Sequence, residues 1–394
     1  MKFEKGALEG IRVLDATQFL SGPYCGMLLG DLGADVIKVE KLTGDPARET
    51  SVNINGQSVY FMGLNRSKRA ITLDFKNPKH KEAFINLAAK SDVVLENFIP
   101  GTMKKLGISY EDIKKVNPKI IFCSISGFGT TGPYANRGAL DMVIQAMSGL
   151  MSVTGEKDGG PVKVGPSVAD MTSALYACIA ILAAIHHREK TGEGQYIDIS
   201  MLDSLVSILE NYIGNYLANG IVPKPTGNVH RVSAPFQNFE TKDGEIVIAA
   251  ATNRIYQDVC TVLKRQDLAE NPKYLERKDR MKNVLELAAE ITKSTKEWIT
   301  SELEAEFVKY NIPHAVVNTV DKVVEHPQII ARNMIIETDH PVAGKMKAVN
   351  SPIKMSITPG CIRKHSPLLG EHNYEVLNEI LGMSEKEVEE MYKQ

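Results

Sequence analysis

The 394-residue chain has no excess charge of either sign: 46 Lys and Arg stand against 48 Asp and Glu, a net charge of −2. No global field draws it to nucleic acid or to an anionic membrane, so any anionic ligand must be met by local cations. Its five cysteines, Cys25, Cys123, Cys178, Cys260 and Cys361, include no C-x-x-C pair. That excludes the common zinc and dithiol spacings and suggests free thiols in a reducing cytoplasm. The N-terminal MKFEKGALEG lacks the apolar segment of a secretory signal, and no apolar run reaches the ~20 residues of a membrane span. Internal repeats and low-complexity tracts are absent as well. A further absence is the dinucleotide fingerprint G-x-G-x-x-G. Gln18, Phe19 and Leu20 stand where its glycines would let a backbone approach a pyrophosphate, which argues against an NAD enzyme.

What is present around that turn is a strand, turn, helix, strand pattern over Gly10–Lys41. Ile11 to Leu14 are apolar, Gly22 and Pro23 punctuate the turn, Cys25 to Leu32 have helical spacing, and Val36 to Val39 resume a strand. The alternation continues. A helix opens at Asn77-Pro78, and a strand follows at Asp92 to Leu95. Tyr110 to Val116 is helical, Ile120 to Ile125 a strand, Met171 to His187 an apolar helix and Gln195 to Ile199 a further strand. The first 200 or so residues therefore predict an α/β layer structure with a parallel sheet. Beyond Ile221 the composition turns to Pro, Gly, Asn and Thr, which suggests a domain boundary near Pro225. A hairpin around Lys242-Asp243-Gly244 and two amphipathic helices, Lys282 to Thr292 and Lys296 to Lys309, follow it.

The peptide VGPSVADMTS places a lone carboxylate, Asp170, at the start of the long apolar helix. From the residues alone two interpretations stay open: an N-cap that satisfies free backbone N–H groups, and a nucleophile among loops that gather ligands. Arg66, Lys68 and Arg69 form a basic cluster expected to be a solvated turn. His186 and His187 suit the dipole at a helix end better than a metal site.

Six segments in order, VLDATQFLSGPYCGMLLGDLGADVIKVEK, NRSKRAITLD, VVLENFIPGTMKKLG, SISGFGTTGPYANRGALDMVIQAMSG, VGPSVADMTSAL and TGEGQYIDISMLD, resemble the class III CoA-transferases, with a weaker match at SPLLGEHNYEVL. The resemblance implies a Rossmann-like large domain (1–200 with 330–394), a smaller α+β domain (225–325) and linkers at 200–225 and 325–340. It also implies two such chains interlocked as a cytoplasmic homodimer. It implies an enzyme that moves CoA from an acyl-CoA to a small carboxylic acid through an aspartyl-CoA thioester on Asp170. Coenzyme A is then a substrate, with no permanently bound cofactor and no metal. Asp141 joins Asp170 in the catalytic centre, and Phe19, Leu20, Lys41, Leu73, Lys76, Asn97, Phe98, Lys105 and Arg137 fall at CoA-contacting positions. Leu20 replaces the glutamine that formyl-CoA transferases carry before Ser21. An acyl-CoA racemase of the same fold is the competing activity, but Leu140 stands where its histidine base belongs. A non-catalytic partner subunit would not need Asp170, and a nucleotide-binding module would need the missing glycines. With only Gly227-Asn228 in place of a glycine-run loop, a larger acid is expected in preference to oxalate.

Overall fold

A computed structural model describes residues 5–50 and 52–393, and the chain divides into two compact units. The first comprises Met1–Leu150, Lys163–Ile221 and Pro327–Gln394, the second Met151–Val162 and Val222–His326.

The first unit is built on six parallel strands: β1 (Arg12–Asp15), β2 (Asp35–Glu40), β5 (Lys68–Thr72), β6 (Val93–Glu96), β7 (Ile121–Ser126) and β8 (Tyr196–Ser200). A two-residue hairpin, β3 (Asn53–Ile54) with β4 (Gln57–Ser58), lies outside this sheet. The spatial order is β5-β2-β1-β6-β7-β8. The chain thus winds outward from β1 in one direction and then returns to wind outward from β6 in the other. The opening between β1 and β6 is the topological switch point where doubly wound sheets collect their ligands. Alternate residues of each strand feed two cores. Val13, Val36, Val93 and Cys123 pack on one face with α1 (Ser21–Asp31) and the long helix α8 (Val168–Thr191). Leu14, Ile37, Val94 and Phe122 pack on the other face with Phe84 and Leu87, and with Val376, Leu377 and Met391 of the C-terminal helices.

α1 closes on β1 through Gly22, Gly26 and Gly30, which four-residue spacing puts on one face. A Cβ at Gly22 would stand 2.2 Å from Thr17 Cγ2, one at Gly26 2.6 Å from Asp15 Oδ2, and one at Gly30 2.7 Å from the Ser67 carbonyl oxygen. Glycine to alanine inside a helix usually gains about 1 kcal/mol. Here Gly26→Ala is expected to destabilise the protein instead, by about 1–3 kcal/mol in a denaturant titration, because the buried carboxylate it would strike cannot move away.

Several expectations need correction. The basic cluster is no solvated turn. The Lys68 side chain is fully buried and pairs with Asp15 at 2.8 Å, Arg66 pairs with Asp31 at 2.8 Å, and Arg69 reaches Asp35, Glu375 and Glu379. Both faces of a parallel sheet are covered, so cations at its edge are enclosed and each meets a carboxylate from a neighbouring element. Residues 200–225, expected as a linker, hold helices Met201–Ile208 and Glu210–Asn219, and the expected linker 325–340 holds helix Pro327–Ala331 and strand Ile335–His340. α8 is long and apolar enough to cross a membrane by length and composition, contrary to the absence inferred from the sequence. In the fold it is a core helix, with Ala169, Ala174, Ala177, Ile181 and Ile185 buried against the sheet and α1.

The second unit carries an antiparallel three-stranded sheet, β9 (Phe236–Glu240), β10 (Glu245–Ala249) and β11 (His314–Val316), over a core of Phe239, Ile246, Tyr256, Leu287, Leu303 and Phe307. The hairpin falls where the Lys242-Asp243-Gly244 turn placed it. Its last long helix begins at Thr300 and not at Lys296, since Asp243 Oδ1 accepts the Thr300 amide at 2.8 Å and fixes the start there.

Candidate active site

The turn from β1 into α1, residues 16–20, lies at the switch point, and none of its polar backbone positions 17–19 is left without a restraint. Thr17 donates its amide to Asp15 Oδ1 (3.0 Å), and its carbonyl accepts Lys38 Nζ (3.0 Å). Gln18 is clamped by Asn97, whose Oδ1 accepts the Gln18 amide (2.9 Å) while Nδ2 donates to the Gln18 carbonyl (2.8 Å). Asn97 immediately follows β6, so this clamp ties the two loops that flank the switch point. Phe19 adopts φ +62°, and its amide donates to Asp45 Oδ1 at 3.2 Å. A bulky residue in the left-handed region costs about 1–2 kcal/mol, which the surrounding hydrogen bonds must offset.

Asp170 faces this turn from α8. It is not the N-cap. Ser167 holds that position, and Asp170 lies three residues further on, inside the first turn. Burial is the main influence on its carboxyl, and the Asp141 carboxylate adds to it; together they push the pKa up to about 7, against a smaller opposing pull from the Ser21 amide at the start of α1. Ser21 is the first residue of α1, so its amide has no acceptor within the helix and is left to face Asp170. The carboxyl therefore sits between two helix N-termini, in a setting that stabilises negative charge on a group otherwise starved of solvent.

Asp141 opens helix α6 (Asp141–Met147), and its two oxygens are committed elsewhere. Oδ1 accepts the Ala169 amide at 2.8 Å, and Oδ2 accepts Gln145 Nε2 at 2.7 Å. Gln145, fully buried, takes the Val164 amide on its own Oε1 at 2.8 Å. Asp141 thus holds the start of α8, and with it Asp170, in place. Leu140 is 75% exposed and carries no acid or base.

Tyr60, on helix α2 (Val59–Asn65), was not foreseen from the sequence. Burial and the charges of Asp170 and Asp45 push its hydroxyl up to about 12, which places a neutral phenol donor in the field of both carboxylates. Only the fold joins residues 60 and 170; the Ser58 side chain fixes the start of α2 by accepting the Phe61 amide.

The remaining candidates are dispersed around the mouth of the sheet. Lys41, Lys76 and Lys105 are exposed beyond the carboxyl ends of β2, β5 and β6, Leu73 is buried, and Phe98 is half-buried. Phe19 is exposed and Leu20 buried. The Arg137 guanidinium lies 4.6 Å from the Tyr134 ring and 5.7 Å from Phe128. Next to Phe98 a cavity of about 600 Å³ opens over β6, β7 and β8. Glu96 lines it, and burial pushes that carboxyl up to about 7 against the pull of Ser124 and the Phe98 amide.

Comparison with known proteins shows the family of the chain. The profile of CoA-transferase family III matches residues 8–373. Succinyl-CoA:mesaconate CoA-transferase of Haloarcula marismortui is 41% identical, with 95% of this chain and 96% of the relative aligned. Human succinyl-CoA:glutarate CoA-transferase is 37% identical over 98% of this chain and 88% of its own. A CAIB/BAIF family protein from Brucella suis superposes with a TM-score of 0.88 at 38% identity, over 96% of this chain and all of that one. The turn at the switch point and the carboxylate that faces it therefore belong to an enzyme of the class III CoA-transferase family.

Proposed function

We propose that the enzyme transfers CoA from succinyl-CoA to a short dicarboxylic acid through an aspartyl-CoA thioester on Asp170. The observation that carries this reading is the Asp170 carboxyl itself, half-buried, facing the Ser21 amide and raised to about 7. The names of the relatives, which act on mesaconate, glutarate or D-citramalate with succinyl-CoA, supply the substrate class.

A carboxylate suits this chemistry because it alone offers a carbonyl on which CoA can ride. An Asp170 oxygen attacks the thioester carbonyl, the C–S bond breaks, and CoA thiolate leaves a mixed anhydride. The thiolate then attacks the aspartyl carbonyl, breaking the anhydride C–O bond and releasing succinate with one oxygen taken from Asp170. The acceptor carboxylate attacks the new thioester and displaces thiolate; the thiolate attacks the acceptor's acyl carbon, and Asp170 returns carrying one acceptor oxygen. One thioester replaces another, so the reaction needs no resident cofactor and no external energy source. In this scheme the Ser21 amide stabilises charge at Asp170, and the Tyr60 phenol is a donor for the anionic tetrahedral centres. Asp141 positions α8. Lys41 and Lys105 meet the CoA phosphates as point charges, Leu73 and Lys76 mark the adenine end, Asn97, Phe98 and the Phe19-Leu20 turn border the CoA, and Arg137 lies near the catalytic loop.

A homodimer accords with the outward face of α8, where Leu175, Tyr176 and Ile179 are 47, 38 and 61% exposed. The racemase alternative has no group at Leu140 to serve as its second acid or base.

Incubation with succinyl-CoA and, separately, mesaconate, glutarate, citramalate and oxalate tests the substrate assignment. Acceptor-dependent formation of at least one dicarboxyl-CoA without net hydrolysis is expected; thioester consumption independent of every acceptor would contradict it. Because the carboxylate is the nucleophile, the rate constant for its acylation should rise about tenfold per pH unit below 7 and level off above it. Rapid-quench measurement of adduct formation from pH 5 to 9 reads this directly, and a rate flat across that range would exclude a titrating carboxylate.

A further inference from the structure

Behind the turn that meets Asp170 lies an ion pair that the reaction scheme does not use. Lys38 is in the middle of β2, flanked by Ile37 and Val39, and its side chain has no exposure; that of Asp45 has 1%. Lys38 Nζ donates to Asp45 Oδ2 at 2.9 Å and to the Thr17 carbonyl at 3.0 Å. Asp45 Oδ1 accepts the amides of Phe19 (3.2 Å) and Ala47 (2.9 Å), while its own amide donates to Glu40 Oε2 (2.9 Å). Glu40 is in turn paired with Arg48 at 2.7 Å.

A buried ion pair is poor evidence for stability, because desolvation of both charges consumes most of the attraction between them. What this pair does is geometric. One partner grips the carbonyl of residue 17 and the other the amide of residue 19, so together they bracket the turn and hold Phe19 at a positive φ that its side chain disfavours. Asn97 closes the bracket from the opposite side through Gln18. Two residues after Phe19 comes Ser21, whose amide acts on Asp170. Tyr60 feels the charges of both Asp45 and Asp170, so the bracket and the carboxyl border the same space.

We propose that Lys38 and Asp45 are positioning residues for CoA transfer: their buried pair fixes the 17–19 turn and thereby sets the Ser21 amide against the Asp170 carboxylate. The inference rests on Asp170 as the nucleophile. With the bracket broken, the turn relaxes toward negative φ at Phe19 and the amide withdraws. The groups left facing Asp170 are then Asp141 from α6 and Tyr60 from α2.

The test follows the rate of the CoA adduct on the Asp170 peptide after mixing with succinyl-CoA, together with steady-state constants and the thermal midpoint. Asp45→Ala is expected to slow adduct formation by about 100-fold with KM for succinyl-CoA within about threefold, since an ångström of misplacement costs on this order. The acid limb of its pH profile should move upward, which a general loss of stability would not cause. Lys38→Met with Asp45→Asn keeps an oxygen for the Phe19 amide and removes the unpaired cation, so it should recover much of the rate. That double variant also serves if Asp45→Ala does not fold: its rate should lie between the native value and a 100-fold loss. Adduct formation at the native rate in a folded Asp45→Ala, or in the double variant where the single does not fold, overturns this inference alone. Transfer by the native protein with no Asp170 adduct removes its premise and overturns both.

Discussion

Replacing Asp170 with alanine is expected to lower kcat by about 10⁴-fold or more, with little change in the affinity for succinyl-CoA. The side chain supplies the carbonyl that carries CoA between donor and acceptor, and no neighbour can take over. Asp141 is the carboxylate whose charge acts on Asp170, but the Ala169 amide and the Gln145 side chain already occupy its two oxygens. Removing the charge of this carboxyl bears on stability with the opposite sign. Burial and Asp141 raise the Asp170 pKa from 3.8 to about 7, so between those values the folded protein holds a proton that the unfolded chain has released. Stability from this group is full below the ordinary carboxylate range and is lost as pH rises through about 7. Asp170→Asn keeps the neutral shape, and at pH 8 it is therefore expected to melt at a higher temperature than the native enzyme while being inactive. At pH 4 the difference should vanish. A native enzyme that is the more stable of the two at pH 8 would contradict the assigned environment.

The second large effect is expected at Lys68. Its ammonium, with no exposure, donates to Asp15 Oδ2 (2.8 Å), the Pro23 carbonyl (2.9 Å) and Asn65 Oδ1 (2.9 Å). Lys68→Met leaves Asp15 buried without its direct partner at the floor of the turn and is expected to cost about 3–5 kcal/mol in urea unfolding. Burial alone would raise the Asp15 carboxyl, but Lys68 and Lys38 outweigh it and hold the pKa below the usual range. The stability that Asp15 draws from this pairing is therefore present above the ordinary carboxylate pKa and is lost as pH falls through the lower folded value, while burial pushes the Lys68 ammonium itself down to about 8. The double variant Lys68→Met with Asp15→Asn should recover a substantial part of the loss, since it removes the orphaned charge. An Lys68→Met protein as stable as the native one would show that Lys38 alone suffices.

The sheet was legible where strand periodicity stood alone. Val36 to Val39 and Ile120 to Ile125 each predict a strand that the fold contains, with ends shifted by one residue at most steps, because apolar runs in covered parallel strands leave little ambiguity. The Asp170 peptide was legible as a carboxylate at a helix start, but its position in the first turn was not, since the cap depends on where Pro166 and Ser167 direct the chain. The basic cluster misled because sequence carries no record of Asp15, Asp31 and Asp35 arriving beside it from other elements. Tyr60 was silent for the same reason. The spacing of Gly22, Gly26 and Gly30 did carry a signal for close helix packing, visible at four-residue intervals without any structure. The linker expected at 200–225 came with the resemblance and not from periodicity, and the helices Met201–Ile208 and Glu210–Asn219 occupy most of it.

The central claim is that CoA passes through the Asp170 carboxyl, and an isotope label follows that passage. Turnover of succinyl-CoA with an excess of an acceptor dicarboxylate labelled with oxygen-18 in both carboxyl groups should leave one acceptor oxygen on Asp170 in each cycle. Peptide mass spectrometry is predicted to find the label on that side chain and nowhere else in the chain. Complete turnover with an unlabelled Asp170 would contradict the account.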